Sequence, residues 1–159
     1  MAETYNRIDG NKAEQYQHLY EQIELLLTHE TNTIANLANI TALLKEQFGW
    51  LWIGFYLVDE LAGNLVLGPF QGPLACTRIA YGKGVCGTAW ALGETQVVAD
   101  VATFPGHIAC SGLSQSEIVV PIKNNGKVVA VLDIDSEHLA SFDEQDKRWL
   151  EKVADLIKW

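Results

Sequence analysis

Cys76, Cys86 and Cys110 lie between Gly72 and Ser116, and His107 stands three positions before the last of them. A thiol in such a stretch can be a small buried hydrophobe, a metal ligand or a nucleophile. None of the three forms a C-x-x-C pair, which excludes a thioredoxin-type motif. Each sits beside polar or turn residues rather than in a periodic apolar run. Each also has a basic neighbour in sequence: Arg78 after Cys76, Lys83 before Cys86 and His107 before Cys110. Positive charge near a thiol lowers its pKa and raises the thiolate fraction, which weighs against inert filler. Three sulfurs and one imidazole also make a legitimate zinc set, but their spacings resemble no compact zinc knuckle, so no metal is expected.

Carboxylates supply a second signal. In "VVAVLDID", strand periodicity puts Asp133 and Asp135 on one face with Val129 and Val131, and Ala130, Leu132 and Ile134 on the other. Glu117 opens the strand "EIVVPI" on the same face as Val119. Pairing of the two arms through Asn125-Gly126 would bring Glu117 near both aspartates. These acids can be a solvated strand end, or a pocket for a cation such as an ammonium, since like charges under cover need a positive partner. Trp52 and Tyr56 share one face of "WLWIGFYLV", with Gly54 between them. They are core packing or an aromatic wall for a sulfur-containing ligand, because sulfur packs well on aromatic rings.

The elements must hold these residues in place. A chain of 159 residues suits one domain over 1–159, and 48% hydrophobic residues argue against disorder. The formal charge of −9 opposes binding to nucleic acid or to an anionic membrane surface. The N-terminus has no apolar signal core and no run is long enough to span a bilayer, so a cytoplasmic location is expected, where thiols are kept reduced.

Apolar spacing predicts a helix over Ala13–Leu27 and another over about Thr33–Phe48, with Ile34, Leu37, Ile40, Leu44 and Phe48 inward and Gly49 as the stop. "WLWIGFYLV" and "NLVLGPF" read as strands around the turn-rich "DELAG". "SEIVVPIKNNGKVVAVLDIDS" reads as a hairpin in which Pro121 points to an edge or bulge. Ser141 and Glu144 form an expected capping box for a last helix buried along Trp149, Leu150, Val153, Ala154 and Ile157. The stretch from Gly72 to Ser116 shows little periodicity and reads as a long functional loop. Helices at both chain ends and hairpin-connected strands give an α+β domain with a central antiparallel sheet and the terminal helices packed on one face.

The segments "GPFQGPLACTRIAYGKGVCGTAW", "FPGHIACSGLSQSEIVVPI" and "VLDIDS" resemble the free methionine-(R)-sulfoxide reductase family, whose members are single GAF domains. The likeness runs over nearly the whole chain, and most GAF domains lack this combination of motifs. It implies thiol-dependent reduction of free L-methionine (R)-S-oxide without a cofactor. Cys110, in H-I-A-C, is similar to the nucleophile that becomes a sulfenic acid. Cys76, in L-A-C-T-R-I, resembles the resolving cysteine, and Cys86, in G-V-C-G, is an auxiliary or alternative resolver. Glu117, Asp133 and Asp135 match the acidic substrate-binding positions, and Trp52 and Tyr56 the aromatic pocket. Thioredoxin is the implied reductant and a homodimer the implied assembly. One departure is Ser111, where the family commonly has an acidic residue. The competing readings are a GAF-type small-molecule or redox sensor without turnover, and a zinc-binding structural module.

Overall fold

Helix α1 (Lys12–His29) starts where Asn11 accepts the Glu14 N–H and the Glu14 side chain returns to the Asn11 N–H. This reciprocal cap satisfies two donors that have no partner inside the helix. Helix α2 (Thr33–Phe48) is capped by Asn32 and ends at Gly49, whose φ of 68° is the left-handed stop expected there. These coordinates are a computed structural model that describes residues 4–159; the first three residues of the domain expected over 1–159 lie outside the described residues. The buried stripe of α2 runs through Asn36, Leu37, Ile40, Leu44 and Gln47. Ile34, expected inward, lies on the flank of that stripe and is 52% exposed.

Six strands follow: β1 (Trp52–Asp59), β2 (Asn64–Gln71), β3 (Arg78–Ala80), β4 (Gln96–Val98), β5 (Ser116–Asn124) and β6 (Lys127–Ser136). They form one antiparallel sheet in the order β3-β2-β1-β6-β5-β4. Asn125 and Gly126 both take positive φ, at 52° and 76°, which the tight β5–β6 turn requires. β4 pairs only with Glu117 to Val119 of β5. Pro121 therefore sits where β5 has a free side, and its missing N–H costs the sheet nothing. The strand alternation expected for β6 fails at one place. Ile122 faces Ala130 and Lys123 faces Val128, so Val129 is the extra residue of a bulge. It turns toward the helices, away from Val131.

The stretch expected as a long loop is more ordered than its periodicity suggests. It holds β3, β4, a short 3-10 turn (Val101–Thr103) and helix α3 (Gly84–Leu92), which carries Cys86. Two glycines hide this helix from a propensity reading. Gly87 is there for space: a β-carbon on it would lie 2.5 Å from the Ala80 carbonyl oxygen. The last helix, α4 (Glu144–Leu156), is capped by Asp143 with Asp146 closing the box, not by Ser141 and Glu144. Ser141 instead donates to Ser136 Oγ at 2.7 Å.

The sheet divides the interior in two. One face packs Ile53, Phe55, Ile118, Val120, Leu132 and Ile134 against α1, α2 and α4. The other places Trp52, Tyr56, Val119 and Val131 against α3 and the connecting segments. The fold is thus the expected α+β layer with both terminal helices on one face. Among the described residues, no helix is long and apolar enough to cross a membrane.

Candidate active site

Strand register sets the site. Trp52 pairs with Asp135 and Gly54 with Asp133 across β1–β6. Glu117 pairs with Asp135 and Val119 with Asp133 across β5–β6. Because facing residues in adjacent strands point the same way, Trp52, Asp135 and Glu117 form one row of the second face. Gly54, Asp133 and Val119 form the next, and the missing side chain at Gly54 leaves a gap that the Trp52 ring fills. A β-carbon at Gly54 would overlap both the Trp52 ring and Phe70. Trp52 and Tyr56 lean together here with ring centroids 5.9 Å apart.

Two segments roof the rows. The Trp52 Nε1–H donates to the Pro73 carbonyl at 3.1 Å, and the Tyr56 hydroxyl donates to the Cys76 carbonyl at 2.9 Å. These bonds fix the backbone that carries Cys76. The second segment leaves the 3-10 turn, passes His107 and Cys110, and returns to β5 through the Gln115 N–H, which donates to the Ser136 carbonyl at 2.8 Å. Cys76 and Cys110 are joined in a disulfide, with Cα atoms 5.3 Å apart. This bond takes both sulfurs out of the zinc set of Cys76, Cys86, Cys110 and His107. Under the roof is a cavity of about 40 Å³ lined by Trp52, Tyr56, Cys110, Glu117, Asp133 and Asp135, among others. Cys86 lines it from α3, and the eight site residues read from the sequence all meet there or at the disulfide.

The electrostatics of the cavity are lopsided. Burial, followed by the charges of Asp133 and Asp135, drives the Glu117 carboxyl well above the usual range. Burial also raises Asp133, and burial with the neighbouring Asp133 charge raises Asp135. The Cys86 thiol, 3.9 Å from Glu117 Oε1, is pushed up by burial and then by Asp133 and Glu117. That is the reverse of what Lys83 suggested in sequence. The Arg78 guanidinium is engaged by Asp59 and Asn64 rather than by Cys76. His107 lies 3.9 Å from Glu117, and burial lowers its pKa, which favours the neutral ring. Tyr56 is raised by burial and by Asp133, so its phenol stays protonated and can donate. The cavity therefore suits a ligand with a positive end and an apolar, polarisable end.

Sequence reasoning left Ser114, Ile79 and Leu74 out of the site, although all line the cavity. Leu74 and Ser114 come from connections and Ile79 from the three-residue strand β3, and no local pattern marks them. Ser111 keeps its hydroxyl on its own loop, where it accepts the Leu113 N–H at 3.2 Å. Among the described residues, Cys86, Glu117 and Asp133 are the group whose ligand atoms converge closely enough to hold a metal ion.

Comparison with known proteins adds four findings. A GAF domain family model matches residues 32–158. The chain is similar to GAF domain-containing protein A of Dictyostelium discoideum, at 58% identity over 99% of each chain. It is 47% identical to a free methionine-R-sulfoxide reductase of Saccharomyces cerevisiae, over 92% of this chain and 86% of that one. Among solved structures, it is similar to the free methionine-R-sulfoxide reductase of Neisseria meningitidis in complex with its substrate. That likeness has a TM-score of 0.95 at 55% identity and covers 97% of this chain and 92% of the other.

Proposed function

This chain belongs to the GAF-domain family, among the free methionine-R-sulfoxide reductases, and we propose that it reduces free L-methionine (R)-S-oxide with its own thiols. The reading rests on one observation: the Cys76–Cys110 disulfide closes directly over a cavity with an acidic floor and an aromatic wall.

The substrate ammonium sits among Glu117, Asp133 and Asp135, held by those that are ionised, and its methyl-sulfur end packs on Trp52 and Tyr56. A peptide-bound methionine offers an uncharged amide there, so the acidic floor selects the free amino acid. The Cys110 thiolate attacks the sulfoxide sulfur. One of the three raised carboxyls, held protonated by burial, gives a proton to the sulfoxide oxygen. The S–O bond breaks, methionine leaves, and Cys110 carries the oxygen as a sulfenic acid. The Cys76 thiolate then attacks Cys110 Sγ, forms the disulfide and releases the oxygen as water. Two thiols are oxidised and one sulfoxide is reduced. Cys86 is the auxiliary thiol. Thioredoxin restores Cys76 and Cys110 by exchange in the cytoplasm, and the working form is a homodimer.

With the disulfide closed, the space beneath it is about 40 Å³, room for a few waters at roughly 10–15 Å³ each. The conformation is therefore the oxidised one at the end of turnover, and reduction frees the Cys110 segment to admit substrate. The test is consumption of each separated methionine sulfoxide epimer by reduced protein with thioredoxin, its reductase and NADPH. Loss of the R epimer alone is expected; loss of neither from folded, reduced protein overturns the reading.

A further inference from the structure

Cys86, Glu117 and Asp133 come from three different elements, α3, β5 and β6, yet one ligand atom of each lies within 4.8 Å of the others. All three are buried. A ligand set is defined by more than proximity, and two further features point to a cation here. Asp133 Oδ1 is fully buried in the site and has no hydrogen-bond partner among the described residues. A buried carboxylate oxygen left in this way is costly and is normally met by a donor or a metal. Among the described residues, no lysine or arginine pairs with Glu117 or Asp133, and the basic group that approaches Glu117 is His107, whose Nε2 lies 3.9 Å from Oε2.

We propose that Cys86, Glu117 and Asp133 form a Zn2+ site on the floor of the cavity, with water in the fourth position. One sulfur, two carboxylate oxygens and a water match the ligands that zinc accepts in a four-coordinate shell. Thiolate among the ligands selects zinc over magnesium and calcium, which prefer oxygen alone. Ligands held at roughly 2.0–2.3 Å from a tetrahedral ion stand about 3.3–3.8 Å from each other, so separations within 4.8 Å close with side-chain movement of about an ångström. The cavity of about 40 Å³ is large enough for one ion and a water even with the disulfide closed. On binding, the Cys86 thiol proton leaves to solvent as the Zn–S bond forms. This set shares Cys86 with the zinc set weighed from sequence, but has carboxylates where that set had the two disulfide-bonded sulfurs. It does not depend on the reductase reading.

The disulfide provides a clean test, because in oxidised protein Cys86 is the free thiol. Oxidised protein is titrated with Zn2+ by calorimetry and with Co2+ by absorption. One equivalent of zinc and a thiolate-to-cobalt charge-transfer band are expected. Cys86→Ser should abolish the band and weaken zinc at least tenfold, and Asp133→Asn should weaken zinc while keeping the band. A band that survives Cys86→Ser, or zinc uptake unchanged by both substitutions, overturns the site. So does wild-type protein that binds no zinc.

Discussion

Two buried aspartates, on opposite faces of one sheet, have opposite surroundings. On the helix face, Asp146 is 1% exposed and both of its oxygens are satisfied. Lys12 Nζ lies 2.7 Å from Oδ2, the Tyr16 hydroxyl donates to Oδ1 at 2.8 Å, and the Asp143 N–H donates to Oδ2 at 2.8 Å. On the cavity face, Asp133 is equally enclosed, but its neighbours are Glu117 and Cys86 and one of its oxygens is unsatisfied. Burial is common to both; compensation is not. The paired carboxylate fastens α1 to α4. The uncompensated one lies where the pocket awaits a positive ligand. Since β6 carries Leu132 and Ile134 to one face and Asp133 and Asp135 to the other, one strand serves both stability and chemistry.

The largest expected effect falls on the cavity face alone. Cys110→Ser should abolish methionine release in a steady-state assay while leaving the melting temperature and far-UV spectrum as in the reduced parent. Substantial turnover would remove Cys110 as nucleophile. Asp146→Ala breaks the opposite side of the comparison. It strands the buried Tyr16 hydroxyl, leaves Lys12 with Asp143 alone, and should cost about 2 kcal/mol in urea unfolding, with activity per folded molecule retained.

Gly54→Ala is next. The added methyl drives into the Trp52 ring and Phe70, so about 2 kcal/mol of destabilisation and a raised KM are expected. Asp133→Asn sharpens the contrast with the least energy. The folded pKa of Asp133 is raised, so the native state keeps a proton that the unfolded chain releases. Wild-type stability from this group is therefore whole below the ordinary carboxylate range and is lost as pH rises through the raised value. The asparagine variant lacks that loss. It should be more stable than wild type by about 1 kcal/mol at pH 8, and the gain should vanish by pH 3, as thermal melts across pH would show.

The helix face was legible in the sequence because its signals are local. The Gly49 stop and the three-to-four residue stripes need only nearby residues. The cavity residues were legible by type, and the Asn125-Gly126 turn fixed how Glu117 meets Asp135. What escaped depended on contacts distant in sequence. Helix α3 forms despite two glycines because it must lie against the Ala80 turn. Val129 leaves its face because β6 carries one residue more than β5. Ser141 lost its capping role to Asp143, which has its own acidic partner three residues on. The uncompensated charge state of the cavity needed the assembled sheet, since Lys83 and Arg78 stand close to the cysteines in sequence without neutralising the site.

The most direct test of the account is a single turnover without reductant. Fully reduced protein is mixed with excess free methionine (R)-sulfoxide, and both the methionine formed and the oxidised cysteines are measured by mass spectrometry. One methionine per chain, a Cys76–Cys110 disulfide and an intact Cys86 thiol are predicted. No methionine, or methionine formed with Cys76 still a free thiol, would contradict it.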